Sequence, residues 1–492
     1  MFDHHDLAAL IRADHGLLLI ETKEEALVVE SFRRLLQVLL RPLWKWSLTR
    51  GLERLDLELA EPPAQGSDST QVLRAIHAAS EPGIYLLLDF HPFLRYAMNA
   101  RLLREIAMRK GCAAHTLVLV GPKLELPEEL RPHALTLTPR LPGEERLAAL
   151  LREEAFAWSR AQGGRRVEID AKVAKAVLKQ LLGLGESDAR KLIRQLLADG
   201  VIGREDLPAL AEAKFQLLTG ERLLHFEMEP GDPEGLAGLK RLRRWLTLRK
   251  AAFLGEPGSE KLDPPRGLLL LGVQGAGKSS AARLAAALFQ VPLLRMDIAS
   301  LYDKYHGESE RRLREALAQA ERMAPCVLWI DEIEKALASS EGDGGVSRRV
   351  LGLLLTWMAE RRKPVFLFAT ANAVHELPPE LLRKGRFDEV FFVDLPAPEV
   401  RAEIFRIHMR RRGLDPAGFD LAALAAASEG FSGAEIEQAL VSALYAAHAE
   451  RRAPDQALLA AELESTRPLS VLMKEKIAAL RAWAAGRTVP AD

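Results

Sequence analysis

Gly272-Val273-Gln274-Gly275-Ala276-Gly277-Lys278-Ser279 decides the reading of this chain. It follows the apolar run 267–272 (GLLLLG), which reads as a buried strand, and it opens the stretch 278–289, which reads as an amphipathic helix. The spacing is G-x-x-x-x-G-K-[ST] in a strand–loop–helix setting. Glycines let backbone N–H groups curl around phosphate oxygens at a helix N-terminus, where unpaired donors and the helix dipole favour an anion. Lys278 is then the residue to reach the outer phosphates, and Ser279 the one to ligate Mg²⁺. Gly272, Gln274, Gly275, Ala276, Gly277 and Ser280 complete the cradle.

Three further stretches follow in an order that suits the same ligand. Residues 326–332 (CVLWIDE) read as a buried parallel strand ending in two adjacent carboxylates, which is costly unless each has a task. Asp331 suits the Mg²⁺ shell and Glu332 suits polarising an attacking water. Residues 365–372 (VFLFATAN) read as a strand that ends in Asn372, whose amide can meet the outermost phosphate and the water. Only two asparagines occur in 492 residues, so its position there carries weight. Residues 382–388 (LRKGRFD) place Arg383 and Arg386 around a glycine on a loop. An ordinary α/β core keeps that loop away from its own phosphates, so these arginines make sense on a neighbour's nucleotide in a ring.

With these four motifs in order, residues from about 235 to 466 resemble the AAA family of AAA+ ATPases. The resemblance implies an α/β P-loop core, a parallel sheet flanked by helices, followed by a small helical lid. It implies ATP with Mg²⁺, a homo-oligomer (most often a hexamer) and a protein client that is remodelled or unfolded. It also places further residues. Tyr305, within KYHGESE, stands at the aromatic pore-loop position that grips substrate. Gly433 and Ala434, within GFSGAE, stand in the lid segment, Ala434 where other clades carry a sensor arginine. His408, within RAEIFRIH, stands on the lid helix beside the adenine, and residues 235–239 (GLAGL) resemble the segment that touches adenine through its backbone. Family members usually carry Asp-Gly-Leu after the next helix as an intersubunit signal. Here Trp357-Met358-Ala359-Glu360 stands there, which puts that coupling route in doubt. The whole layout resembles the plastid and cyanobacterial AAA proteins with a degenerate ATPase-like N-terminal half.

The first half repeats the strand–helix alternation. Residues 16–21, 83–89 and 116–121 read as strands, and 143–200 as helical. We expect a diverged tandem duplication: a degenerate AAA-like domain at 1–200, a connector at 201–235, the large ATPase subdomain at 236–396, the lid at 397–466 and a helical tail at 467–492. The first copy has lost the phosphate chemistry. Residues 20–25 (IETKEE) have no glycine, and their carboxylates repel phosphate. Trp44 and Trp46 alternate with basic neighbours as in an amphipathic edge strand. His4, His5 and His15 lack the partners of a metal site.

Composition narrows the partners. Lys+Arg and Asp+Glu both number 68, so the formal charge is zero, which argues against coating a polyanion and leaves nucleic acid possible but not favoured. Two cysteines cannot make a disulfide framework, and no run approaches the ~20 apolar residues of a membrane span. The expectation is a cytoplasmic protein without a membrane partner. The alternative to remodelling is a nucleotide-gated scaffold that presents its N-terminal half to a protein or RNA without threading it.

Overall fold

The computed structural model describes residues 4–57, 68–111, 114–218, 223–227, 235–302, 308–337, 346–383 and 385–492. They form two compact units, one of residues 1–164 with 184–194, the other of residues 165–183 with 195–492.

The first unit is built on strands β1 (Leu17–Glu21), β2 (Leu43–Ser47), β3 (Gly51–Arg54), β4 (Ile84–Leu88), β5 (Thr116–Gly121) and β6 (Ala134–Leu137). They make one six-stranded sheet in the order β3-β2-β4-β5-β1-β6. All neighbours are parallel except the β2–β3 hairpin. In β1, Leu17 and Leu19 face one core and Leu18 and Ile20 the other, so an unbroken apolar run serves both faces.

In the second unit a short parallel pair, β7 (Glu168–Ile169) and β8 (Val201–Ile202), precedes the main sheet. That sheet contains β9 (Leu224–Glu227), β10 (Gly267–Gly272), β11 (Leu293–Met296), β12 (Cys326–Ile330), β13 (Val365–Ala371), β14 (Glu389–Val393) and β15 (Val489–Pro490). Its order is β15-β14-β10-β13-β12-β11-β9. The two-sided burial recurs: Leu269 and Leu271 enter one core, Leu268 and Leu270 the other. Helices Pro398–Arg411, Leu421–Ala427, Gly433–Ala449 and Gln456–Ser465 close a separate lid core around Phe405, Met409, Leu440 and Leu459.

The two sheets share a topology. Read from β6, the first runs β6-β1-β5-β4-β2, and the second runs β14-β10-β13-β12-β11 in the same positions. Each then carries an outer antiparallel strand, β3 or β9. The five-strand order is what a tandem duplication would leave behind; the outer strands are not equivalent, since β3 follows β2 in the chain and β9 precedes β10.

Several local expectations need correction. Strand β2 is not an edge: β3 covers it, Lys45 pairs with Glu53 at 2.6 Å and Trp46 is fully buried. The region expected as a connector contains the helix Asp206–Leu218 and β9, a member of the ATPase sheet paired with β11. The expected helical tail ends in a strand, β15, paired with β14. The second asparagine, Asn99, is buried and fully used in the first unit. Its side chain bonds Ser69, Thr70 and the Phe93 carbonyl.

Candidate active site

Strand β10 delivers the phosphate loop. Gly275 and Gly277 take positive φ, +76° and +89°, which glycine adopts without strain, and Gly277 precedes the helix Lys278–Phe289. The N–H groups of Lys278, Ser279 and Ser280 stand in the first helical turn, where no intrahelical partner exists. Lys278 is buried, and its Nζ donates to the Gly272 and Val273 carbonyls at 2.9 and 2.8 Å. Burial pushes this ammonium down to about 8, with Glu334, Asp331 and Glu332 acting in the opposite sense.

The register of β12 on β13 pairs Ile330 with Ala369 and so brings the carboxylates beside Thr370 and Asn372. Thr370 Oγ1 donates to Asp331 Oδ1 at 2.5 Å and accepts from the Glu332 N–H at 3.1 Å. Glu332 has φ +48°, an αL backbone that is uncommon outside glycine and is held here by that bond. Asn372 Nδ2 donates to Glu332 Oε1 at 2.6 Å, and Lys335 Nζ lies 2.5 Å from Glu332 Oε2. Asn372 N–H donates to Glu334 Oε1 at 2.9 Å. Glu334 is buried, and burial raises its carboxyl above the usual range. Sequence reasoning missed Thr370, Glu334 and Lys335. Their signal was proximity: Thr370 is two residues before Asn372, and Glu334 and Lys335 lie within one turn of Glu332.

The lid meets the loop. Ala434 N–H donates to the Gly275 carbonyl at 3.2 Å, and a Cβ on Gly275 would lie 2.8 Å from Ser432 Oγ. A capping box of Ser432 and Glu435 fixes that helix start. Between loop and lid lies a cleft of about 730 Å³. Gln274, Gly275, Ala276, Gly277, Lys278, Ser279, Ser280, Asp331, Glu332, Asn372, His408, Gly433 and Ala434 all line it, while Gly272 sits buried at the end of β10 behind it. Burial lowers His408 below its ordinary range. Its Nδ1 lies 3.3 Å from Glu437 Oε1 but is not aligned for a hydrogen bond. Arg383 and Arg386 do not line this cleft. Arg383 is exposed, and Arg386 Nη1 donates to the Leu355 carbonyl at 2.5 Å. Tyr305 lies outside the described residues. At the expected intersubunit segment, Trp357 Nε1 donates to Glu321 Oε1 at 2.9 Å and Met358 is fully buried.

The donor set fits a Mg²⁺–triphosphate. Free first-turn N–H groups and a buried ammonium face one end, and a hydroxyl and carboxylates stand beside them. Asn372 Oδ1 and Glu334 Oε2 are buried without a hydrogen-bond partner among the described residues. Ser279 and Asp331 are the residues to hold the metal, which would neutralise phosphate charge.

The first unit has another arrangement after β1. Glu24 Oε1 accepts from the Ser187 N–H and hydroxyl at 2.7 and 2.9 Å, at the start of the helix Glu186–Leu196. The protein's own carboxylate thus meets the donors at that helix N-terminus.

A pH effect follows from Lys278. Bound phosphate charge favours its protonated form, so binding must take up a proton wherever the free site has lost it. Above the range in which the ADP phosphate itself titrates, ADP affinity should fall as pH rises through about 8. Calorimetry in buffers of different ionisation enthalpy should show net proton uptake at about pH 8.5, where the ADP phosphates are fully ionised, and a Lys278→Met variant should lose it.

Comparison with known proteins agrees with this geometry. The ATPase family associated with various cellular activities (AAA) matches residues 268–395, and the AAA+ lid domain matches 418–457. The N-terminal and second domains of SpoVK-like AAA ATPases match 3–138 and 145–221. The AAA domain-containing protein ycf46 of Trieres chinensis is 33% identical over 489 residues, covering 97% of this chain and 96% of its own. That of Guillardia theta is 33% identical, covering 97% and 94%. A cell division cycle protein 48 homolog of Archaeoglobus fulgidus is 36% identical over 228 residues, 44% of this chain and 30% of its own.

Proposed function

Because this chain belongs to the AAA family of ATPases, we propose that its ATP hydrolysis remodels a protein client within a homo-oligomeric ring, six-membered by family expectation. One observation carries the reading. Lys278, Asp331, Glu332 and Asn372 converge on one cleft under the lid, while Arg383 and Arg386 stand on a loop outside it. Lys278 and the first-turn N–H groups bind and orient the triphosphate. Mg²⁺ held by Ser279 and Asp331 screens its charge. Glu332 takes the proton of the attacking water, Asn372 aligns that water against the outer phosphate, and the arginines act on the neighbour's nucleotide. The protein works in the cytoplasm and needs no membrane. Among the described residues no helix is long and apolar enough to cross one.

In this reading Tyr305 grips the client. Tyr305→Ala should leave basal ATPase within about twofold and abolish client processing, measured on clients captured by the ATP-trapping Glu332→Gln variant. If processing persists at the wild-type rate, the nucleotide-gated scaffold is the better account. The carboxylate at the loop after β1 favours a binding or scaffolding task for the first unit, with no hydrolysis there.

A further inference from the structure

The end of the cleft away from the phosphate loop is walled partly by residues from the last stretch of the sequence. Strand β15 runs parallel to β14, with Val489 opposite Phe391 and Pro490 opposite Phe392. Ala491, 1% exposed, extends the attachment: its N–H donates to the Phe392 carbonyl at 2.9 Å, and its carbonyl accepts from the Leu242 N–H at 3.0 Å. These bonds bring Asp492 to the start of the helix Lys240–Leu254, where Asp492 Oδ1 accepts from the Lys240 N–H at 3.3 Å. That helix has no cap of its own, since the residue before it, Leu239, is left-handed with φ +57° and offers no side-chain acceptor. Asp492 supplies the cap from across the unit.

One carboxylate oxygen remains. Asp492 is exposed, its Oδ2 has no hydrogen-bond partner among the described residues, and the residue lines the cleft. It lies against Gly238, where a Cβ would be 3.5 Å from Oδ2 and 3.0 Å from Val400 Cγ1. Leu236, Val400, Ile404, Ile407 and Pro490 give the cleft apolar walls, and the charged groups that also line it are engaged elsewhere: Glu437 with Arg412, Asp394 with Arg481, and Arg411 with the Gly235 carbonyl. A slot with apolar faces and one outward acceptor suits a flat ring that carries an N–H donor on its edge. With the phosphates at Lys278, the part of the nucleotide left for this end is the base. Adenine carries a donor amino group at N6, and guanine carries an acceptor oxygen at the same place. An ionised carboxylate only accepts. From this we infer that Asp492 reads the exocyclic amino group of adenine, so that residues 489–492 form part of the base-recognition site. The inference rests on the cleft being the nucleotide site described above.

The test is binding of MgADP and MgGDP, which needs no turnover. Asp492→Asn keeps an acceptor for the Lys240 cap and replaces the other oxygen with a donor amide. ADP affinity should fall about tenfold and GDP affinity rise, the size expected for one hydrogen bond to a charged group. Asp492→Ala should weaken ADP similarly with no gain for GDP, and the melting temperature of the nucleotide-free protein reads the lost cap separately. If both variants keep the wild-type ratio of ADP to GDP affinity, Asp492 does not read the base. If the wild-type protein binds neither nucleotide, the nucleotide reading of the cleft fails first, and this inference with it.

Discussion

Glu332→Gln should hold ATP and cease to hydrolyse it. Both oxygens of Glu332 are engaged, one by Asn372 Nδ2 at 2.6 Å and the other by Lys335 Nζ at 2.5 Å. One partner must release before the carboxylate can take a proton from water. The Lys335 pair is the easier to open, because Lys335 is 65% exposed and exposed ion pairs contribute at most about 1 kcal/mol. Asn372 is fixed through its backbone to the buried Glu334 and stays in place. Glutamine has nearly the same shape but cannot accept the proton. Losing a general base costs on the order of 10²–10⁴ in rate. The phosphate loop and Lys278 are untouched by the change, so affinity for ATP should remain within a few-fold of wild type.

Arg383→Ala should lower hydrolysis on the order of 10³-fold, and the loss should be reparable by a neighbouring chain. Arg383 is exposed, its side chain makes no hydrogen bond or ion pair with the described residues, and it lies outside its own chain's cleft. A cation so placed can lower the barrier at another chain's phosphate, where charge develops in the transition state. Arg386 is half-buried and donates to the Leu355 carbonyl, so Arg386→Ala should combine a loss of rate with a loss of local stability. The check is mixing. Arg383→Ala chains have an intact Glu332, and Glu332→Gln chains have an intact Arg383. A mixture should recover activity that neither variant has alone. No recovery in mixed oligomers, or full activity in a monomeric preparation, would count against action in trans.

The central motif was legible because its residues are contiguous. The apolar run 267–272 and the helix Lys278–Phe289 fall where the pattern places them, since a fully buried strand and a glycine-rich turn leave little freedom. Thr370, Glu334 and Lys335 were not legible as a group. Their contacts depend on the register of β12 against β13 and on the turn at Glu332, which no local pattern encodes. Short strands were also hidden. β15 has two residues, one of them a proline, and β9 has only four, alternating Leu224, His225, Phe226 and Glu227, so each is pinned as a strand by the sheet edge that pairs it. Trp44 and Trp46 misled for the opposite reason. Their alternation is real, but β3 covers the edge that the pattern implied was open. Asp492 has no motif around it, and its place in the cleft comes entirely from the pairing of β15 with β14.

The most direct test counts ATP bound per chain by the Glu332→Gln protein after rapid desalting and follows its conversion to ADP beside the wild type. One ATP per chain, retained unhydrolysed while the wild type turns it over, is the expected result. Hydrolysis by the variant at the wild-type rate, or two ATP per chain, would contradict a single hydrolytic site built on Glu332 in the second unit.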